Sequence, residues 1–164
     1  MARRYILTLL LTIAVMMSPD AGMADTIAKE AFGQAALPAA MKPSSVGFYT
    51  KGCLAGGVAI PVDGPHWQVM RLSRNRRWGH PVLISTIEKL SRRAKQHGWN
   101  GLMVGDISQP RGGPMLTGHT SHQVGLDADI WFTPMPDKRL SFKEREELSA
   151  ISMLKANSFH VDDR

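Results

Sequence analysis

Two histidines and two aspartates fall within eleven residues, in the stretch Gly118-His119-Thr120-Ser121-His122-Gln123-Val124-Gly125-Leu126-Asp127-Ala128-Asp129-Ile130. Imidazole nitrogen and carboxylate oxygen are the donor set that suits Zn²⁺. A zinc site needs at least three protein ligands, and a catalytic one leaves a fourth position for water. His122 and Asp129 supply two. His119 is either a third ligand or a donor behind the ligands. Two acids close together repel unless a cation or an arginine relieves them.

The elements around this stretch must position it. Gly125 to Phe132 alternates as a strand, which predicts Leu126, Ala128, Ile130 and Phe132 on a core face. Asp127, Asp129 and Trp131 then share the opposite face. His122 lies seven residues from Asp129, an odd separation, so the two cannot share one face of one straight strand. His122 is therefore placed in the loop before the strand, where Gly125 bends the chain.

Pro81 to His97 is the strongest helix. Leu83, Ile87, Leu90 and Ala94 form an apolar stripe, Pro81 suits the first turn, and Gly98 suits the residue past the end. Ser141-Phe142-Lys143-Glu144 reads as a capping box opening a helix to about Lys155, with Leu148, Ile151 and Leu154 inward. Ser45 to Thr50, Val58 to Ile60, Trp67 to Met70 and the apolar run Leu102 to Ile107 read as strands. Gly52 to Gly57 reads as a turn, as does Pro134 to Lys138. The fold class is α+β: a small, mostly antiparallel sheet with flanking helices and the zinc site on the sheet face.

Arg3-Arg4, the apolar run Tyr5 to Met17 and the small residues before Asp25 make residues 1–24 a secretory signal peptide. Residues 25–43 read as a poorly ordered arm and residues 44–164 as one domain. Cleavage would remove Arg3, Arg4 and Asp20, so the formal charge would fall from +6 to +5. No later apolar run is long enough to span a membrane. A basic exported protein meets anionic wall polymers more readily than nucleic acid. Arg71, Arg74, Arg76 and Arg77 form a basic cluster, read either as a solvated loop or as a contact for a substrate carboxylate. Arg71 and Arg77 are the substrate-binding candidates. The single cysteine, Cys53, is either a small buried hydrophobe or a thiol with no partner in the chain.

Competing chemistries lack their motifs. Ser152-x-x-Lys155 matches a serine penicillin-binding signature, but neither Ser-Asp-Asn nor Lys-Thr-Gly follows. There is no P-loop, no dinucleotide fingerprint and no His-Glu-x-x-His.

Ser121-His122-Gln123-x-Gly125-Leu126-Asp127-x-Asp129 resembles the penicillin-insensitive murein endopeptidases, within the wider group of lysostaphin-like and D-Ala-D-Ala zinc peptidases. Gly52-Cys53, Gln68 to Arg71, Arg76 to Pro81 and Gly105-Asp106 resemble the same family in the same order. The resemblance implies a periplasmic zinc peptidase that hydrolyses D-alanyl–diaminopimelate cross-links in peptidoglycan. It implies His122 and Asp129 as zinc ligands, His119 as a metal-associated histidine, and His160 as a further one. In the segment where the family carries Asp-x-x-His, this chain has Asn157-Ser158-Phe159-His160. The family also carries a later His-x-His that supplies the remaining ligand and a catalytic histidine, and this chain has none. The expectation is a C-terminally truncated enzyme whose catalytic base lies outside the 164 residues. A non-catalytic wall- or metal-binding remnant and a D,D-carboxypeptidase are the alternatives.

Overall fold

The computed structural model describes residues 27–149, 151, 152 and 154. The predicted signal peptide and His160 lie outside the described residues. In chain order the elements are α1 (Ala28–Gly33), β1 (Ser44–Phe48), β2 (Lys51–Ala55), β3 (Val58–Ala59), β4 (Asp63–Gly64), β5 (Trp67–Val69), a 3-10 turn (Leu72–Arg74), β6 (Trp78–Gly79), α2 (Pro81–Gln96), β7 (Leu102–Val104), β8 (Ile130–Trp131) and α3 (Phe142–Glu147). The α+β class holds. The largest sheet has the order β4-β5-β7-β8, and two two-stranded sheets, β1-β2 and β3-β6, stand beside it. All pairings are antiparallel except β5 with β7. That parallel pair is joined through α2, the crossover that parallel strands require.

Strand alternation builds two cores. Trp67, Val69, Leu102 and Val104 pack with Ile84 and Ile87 of α2. Met103 points to the other face, with Met70, Met135 and Leu140. Each fully buried Ile or Leu contributes about 1.5–3 kcal/mol, so the α2 face is the main anchor of the sheet. α2 begins at His80, whose Nδ1 accepts from the Val82 N–H, with Pro81 in the first turn. It stops where Gly98 turns left-handed at φ +91°. The buried face is rotated from the predicted stripe: Ile84, Ile87 and Ser91 are buried, and Leu90 is 46% exposed.

Residues 27–43, read as an arm, make contacts with the domain. They carry α1, a Cβ on Gly113 would strike the Phe32 ring, and the carbonyls of Ala36 and Leu37 accept from Asn75 and Arg111. Three other predictions are corrected. The predicted turn at Gly52–Gly57 is mostly strand β2, because Lys51–Ala55 pair in register with Ser44–Phe48. The predicted strand Gly125–Phe132 shrinks to Ile130–Trp131, and Leu126 and Phe132 are exposed. Gly125 at φ +65° coils the chain instead of extending it. The last helix ends at Glu147, and Leu148, Ile151 and Leu154 are all more than 40% exposed, so no apolar face carries it further.

The capping box itself forms. Ser141 Oγ accepts from the Glu144 N–H, and Glu144 Oε2 accepts from the Ser141 N–H. Lys138 Nζ, 2.6 Å from Glu144, and the two Ser141 bonds hold the Glu144 carboxyl down to about 2. A depressed carboxyl stabilises above its ordinary pKa and loses that contribution as pH falls through the folded value. Protection of the α3 amides, taken relative to their intrinsic exchange rates, should therefore fall as pH drops from about 4.5 to 2. Ser141→Ala should destabilise the helix start by about 0.5–2 kcal/mol. An α3 whose exchange ignores both changes would refute the cap's role.

α3 is fastened by Arg145, which is 3% exposed. Its guanidinium donates to the carbonyls of Leu140, Val62 and Val69, to Gln68 Oε1, and to Asp63 Oδ1 at 2.7 Å. Among the described residues no helix is long and apolar enough to cross a membrane.

Candidate metal centre

The site is built by the loop from Gly118 to Asp129, which lies against the C-terminal end of β7. Gly105, just past β7, donates its N–H to the Asp129 carbonyl, and the Asp129 N–H donates to the Asp106 carbonyl. These two bonds place Asp129 directly beside Asp106. On the other side Gln123 anchors the loop to the β1–β2 hairpin. Its Nε2 donates to the carbonyls of Thr50 and Thr120 at 2.9 Å, and its Oε1 accepts from the Gly52 N–H. Gln123→Ala should lower stability by about 1–3 kcal/mol, because three backbone groups lose their partner. A thermal melt unchanged from the parent would overturn that expectation.

His122 sits in this loop at φ +66°, the left-handed region that non-glycine residues seldom occupy. It is 3% exposed. Its Nε2 lies 3.4 Å from Asp129 Oδ1, and its Nδ1 lies 2.8 Å from Asp127 Oδ2. His119 Nε2 lies 3.5 Å from Asp129 Oδ2, and the two imidazole rings are 5.0 Å apart at 70°. One ligand atom from each of His119, His122 and Asp129 falls within 4.8 Å of the others. The three residues named from sequence are thus brought together. His160 is outside the described residues.

Two carboxylates set the electrostatics. Burial alone would lower the His122 pKa, but the bond to Asp129 and the charges of Asp127 and Asp129 outweigh it and raise the value above 6.5. The His122 ring holds the Asp129 carboxyl below its ordinary range against its partial burial. Despite the short distances, neither ring nitrogen of His122 has a well-directed hydrogen bond among the described residues. The short distances are charge contacts, and the angles leave the ring unsaturated. A buried imidazole with both nitrogens facing carboxylates and neither properly bonded is a site suited to a cation. In a tetrahedral zinc shell with bonds of roughly 2.0–2.1 Å, neighbouring ligand atoms are about 3.4 Å apart. The 3.4 and 3.5 Å contacts are of that order but reach different oxygens of Asp129, and one ligand atom from each residue falls within 4.8 Å of the others. The donor set suits a cation such as zinc.

A further residue escaped the reading of composition and spacing. Asp106 is 3% exposed, and its Oδ2 accepts from Arg76 Nη1 at 2.9 Å and Arg74 Nη1 at 3.0 Å. The same oxygen lies 3.9 Å from His119 Nε2. Arg76 also donates to the Thr117 carbonyl, just before the ligand loop. The available signal was an acid inside the apolar run Leu102 to Ile107, which demands a cation partner. Arg71 stacks on Trp131 at 5.5 Å and donates to the Leu148 carbonyl. Arg77 donates to the Ile60 carbonyl at 2.7 Å and lies over Trp78. Neither reaches the cluster; Arg74 and Arg76 adjoin it through Asp106. Cys53, on β2, is half-buried and has no disulfide partner among the described residues.

A sequence profile of the penicillin-insensitive murein endopeptidases matches residues 45–164. The chain belongs to this family. The penicillin-insensitive murein endopeptidase of Haemophilus influenzae is 53% identical over 90 residues, covering 55% of this chain and 32% of that protein. The protein of the same name from Pectobacterium atrosepticum is 36% identical over 137 residues, covering 84% of this chain and 48% of that one. That from Salmonella paratyphi B is 38% identical over 117 residues, covering 71% and 42%. This chain therefore spans a third to a half of the length of these curated murein endopeptidases. Residues 45–164, which the family profile matches, include His119, His122 and Asp129.

Proposed function

We propose that this chain carries the metal centre of a periplasmic zinc endopeptidase that hydrolyses peptide cross-links of the D-alanyl–diaminopimelate type in peptidoglycan. The observation that carries the reading is the cluster of His119, His122 and Asp129 in a member of a murein endopeptidase family. Zinc, when bound, supplies polarisation of a scissile carbonyl and a water whose pKa falls toward ~7.

The chain's own residues do the rest of what can be assigned. His122 and Asp129 offer a nitrogen and a carboxylate from a loop fixed at both ends. His119 is held over Asp129 and close to Asp106. The Asp106–Arg76 pair forms a rigid floor under the site and keeps Asp106's charge from competing as a free ligand. Arg74, 42% exposed at its side chain, leaves donors at the rim where an anionic stem peptide would arrive. The basic surface favours a negatively charged wall polymer over a neutral one.

Zinc content after dialysis and the products released from purified sacculi test the reading together. The expected result is about one zinc per chain and chelator-sensitive loss of cross-linked muropeptides. Release of terminal D-Ala with cross-links intact would replace the endopeptidase reading with a carboxypeptidase. Stoichiometric zinc without turnover would reduce the chain to a binding module. Absence of zinc would overturn the metal centre.

A further inference from the structure

We propose that Asp127 is the positioning residue of the metal centre: its carboxylate selects which nitrogen of His122 faces a cation. The inference rests on the metal-centre reading above and adds a residue to it.

Two carboxylates bracket the His122 ring, one at each nitrogen. Asp129 stands at Nε2 and Asp127 at Nδ1. The two have different standing. Asp129 shares its neighbourhood with His119 and belongs to the three-residue cluster, whereas Asp127 does not. Asp127 instead makes one hydrogen bond and one charge contact to His122 with a single oxygen. Its Oδ2 accepts from the His122 backbone N–H at 3.2 Å and lies 2.8 Å from the ring Nδ1. The turn between them, bent at Gly125, brings the chain back over five residues to make both contacts.

A histidine can offer only one nitrogen to a metal, and the proton on the other is set by what that other nitrogen faces. A carboxylate opposite Nδ1 favours the Nδ1–H tautomer, leaves Nε2 unprotonated, and makes Nε2 a stronger donor. His122 is buried, so its ring cannot swap nitrogens without opening the loop. The left-handed backbone of His122 is a strained conformation that persists only when its surroundings enforce it. The bond from its N–H to Asp127 is one such constraint. A purely structural Asp127 would need only that backbone bond; the second contact, to Nδ1, is what acts on the ligand.

The full chain, loaded with zinc, tests this in two ways. Long-range ¹H–¹⁵N spectra of the wild type should show His122 bound through Nε2 with a proton on Nδ1. Competition against a chromophoric chelator should show zinc affinity weaker by about 10–100-fold in Asp127→Asn, which keeps an acceptor for the backbone N–H but loses the charge at Nδ1. Metal on Nδ1, or Asp127→Asn binding zinc within about twofold of wild type, would overturn the inference while leaving the metal centre standing. A wild type that takes up no zinc overturns both. If Asp127→Asn does not fold, the wild-type tautomer alone decides.

Discussion

His122→Ala should empty the chain of zinc, whereas Ser121→Ala should retain it. Removing a partner one step behind a metal ligand weakens binding by about 10–100-fold, so removing a ligand outright should exceed about 100-fold. The site has little redundancy among the described residues: without His122 only His119 and Asp129 remain near one another. Metal analysis after dialysis reads the first effect directly. Any hydrolysis of sacculi should disappear with the metal and stay unaffected in Ser121→Ala. Loss of activity in the serine variant with zinc retained would instead point to serine chemistry. Stoichiometric zinc in His122→Ala would move the metal elsewhere. Acidification should act in the same direction. Protonated His122 cannot bind metal, so zinc should be released as pH falls. In metal-free protein the sign is opposite. There the charged pair of His122 with Asp127 and Asp129 stabilises the fold fully below 6.5 and is lost as pH rises through the folded value.

What the sequence made legible was local. α2 was readable because Pro81, a 3.6-residue apolar period and Gly98 lie within eighteen residues. The capping box was readable because its partners are three residues apart. The grouping of His119, His122 and Asp129 was readable for the same reason, and His122 lies in a loop. The strand alternation was misleading at the point where long-range geometry took over. Gly125 at φ +65° lets the chain coil, and both aspartates then meet one histidine from opposite sides rather than line one strand face. The apolar phase failed for a related reason: Ala128 and Ile130 pack on the core, while Leu126 and Phe132, in the same period, are exposed. Residues that pair across the chain carried no local signature. Arg76 meets Asp106 thirty residues on, and Arg145 meets Asp63 eighty-two residues back. Four arginines in seven residues read as either a solvated loop or a substrate contact; in the fold Arg74 and Arg76 share Asp106, while Arg71 and Arg77 have separate partners.

Asp106→Ala should be the most destabilising single change near the site, by about 3–5 kcal/mol, because it leaves Arg76 buried and uncompensated. Domains of this size hold only about 5–15 kcal/mol in total. The midpoint of thermal unfolding should fall by about 6–20 °C. The exposed Arg74 contributes little to that sum, since solvent already screens it. The cost comes from the charge imbalance left behind rather than from the pair's own strength. Replacing both partners, as in Asp106→Leu with Arg76→Met, removes the buried charge altogether and should recover most of the lost stability. That double variant separates two roles of Asp106. Its fold should survive, but His119 would lose the carboxylate 3.9 Å from its Nε2, and the loop would lose the Arg76 bond to Thr117. Zinc affinity should therefore stay below wild type even where the melting temperature returns. A double variant that recovers both would make the pair a stability device alone, and one that recovers neither would show that Arg76 holds the loop as well as balancing a charge.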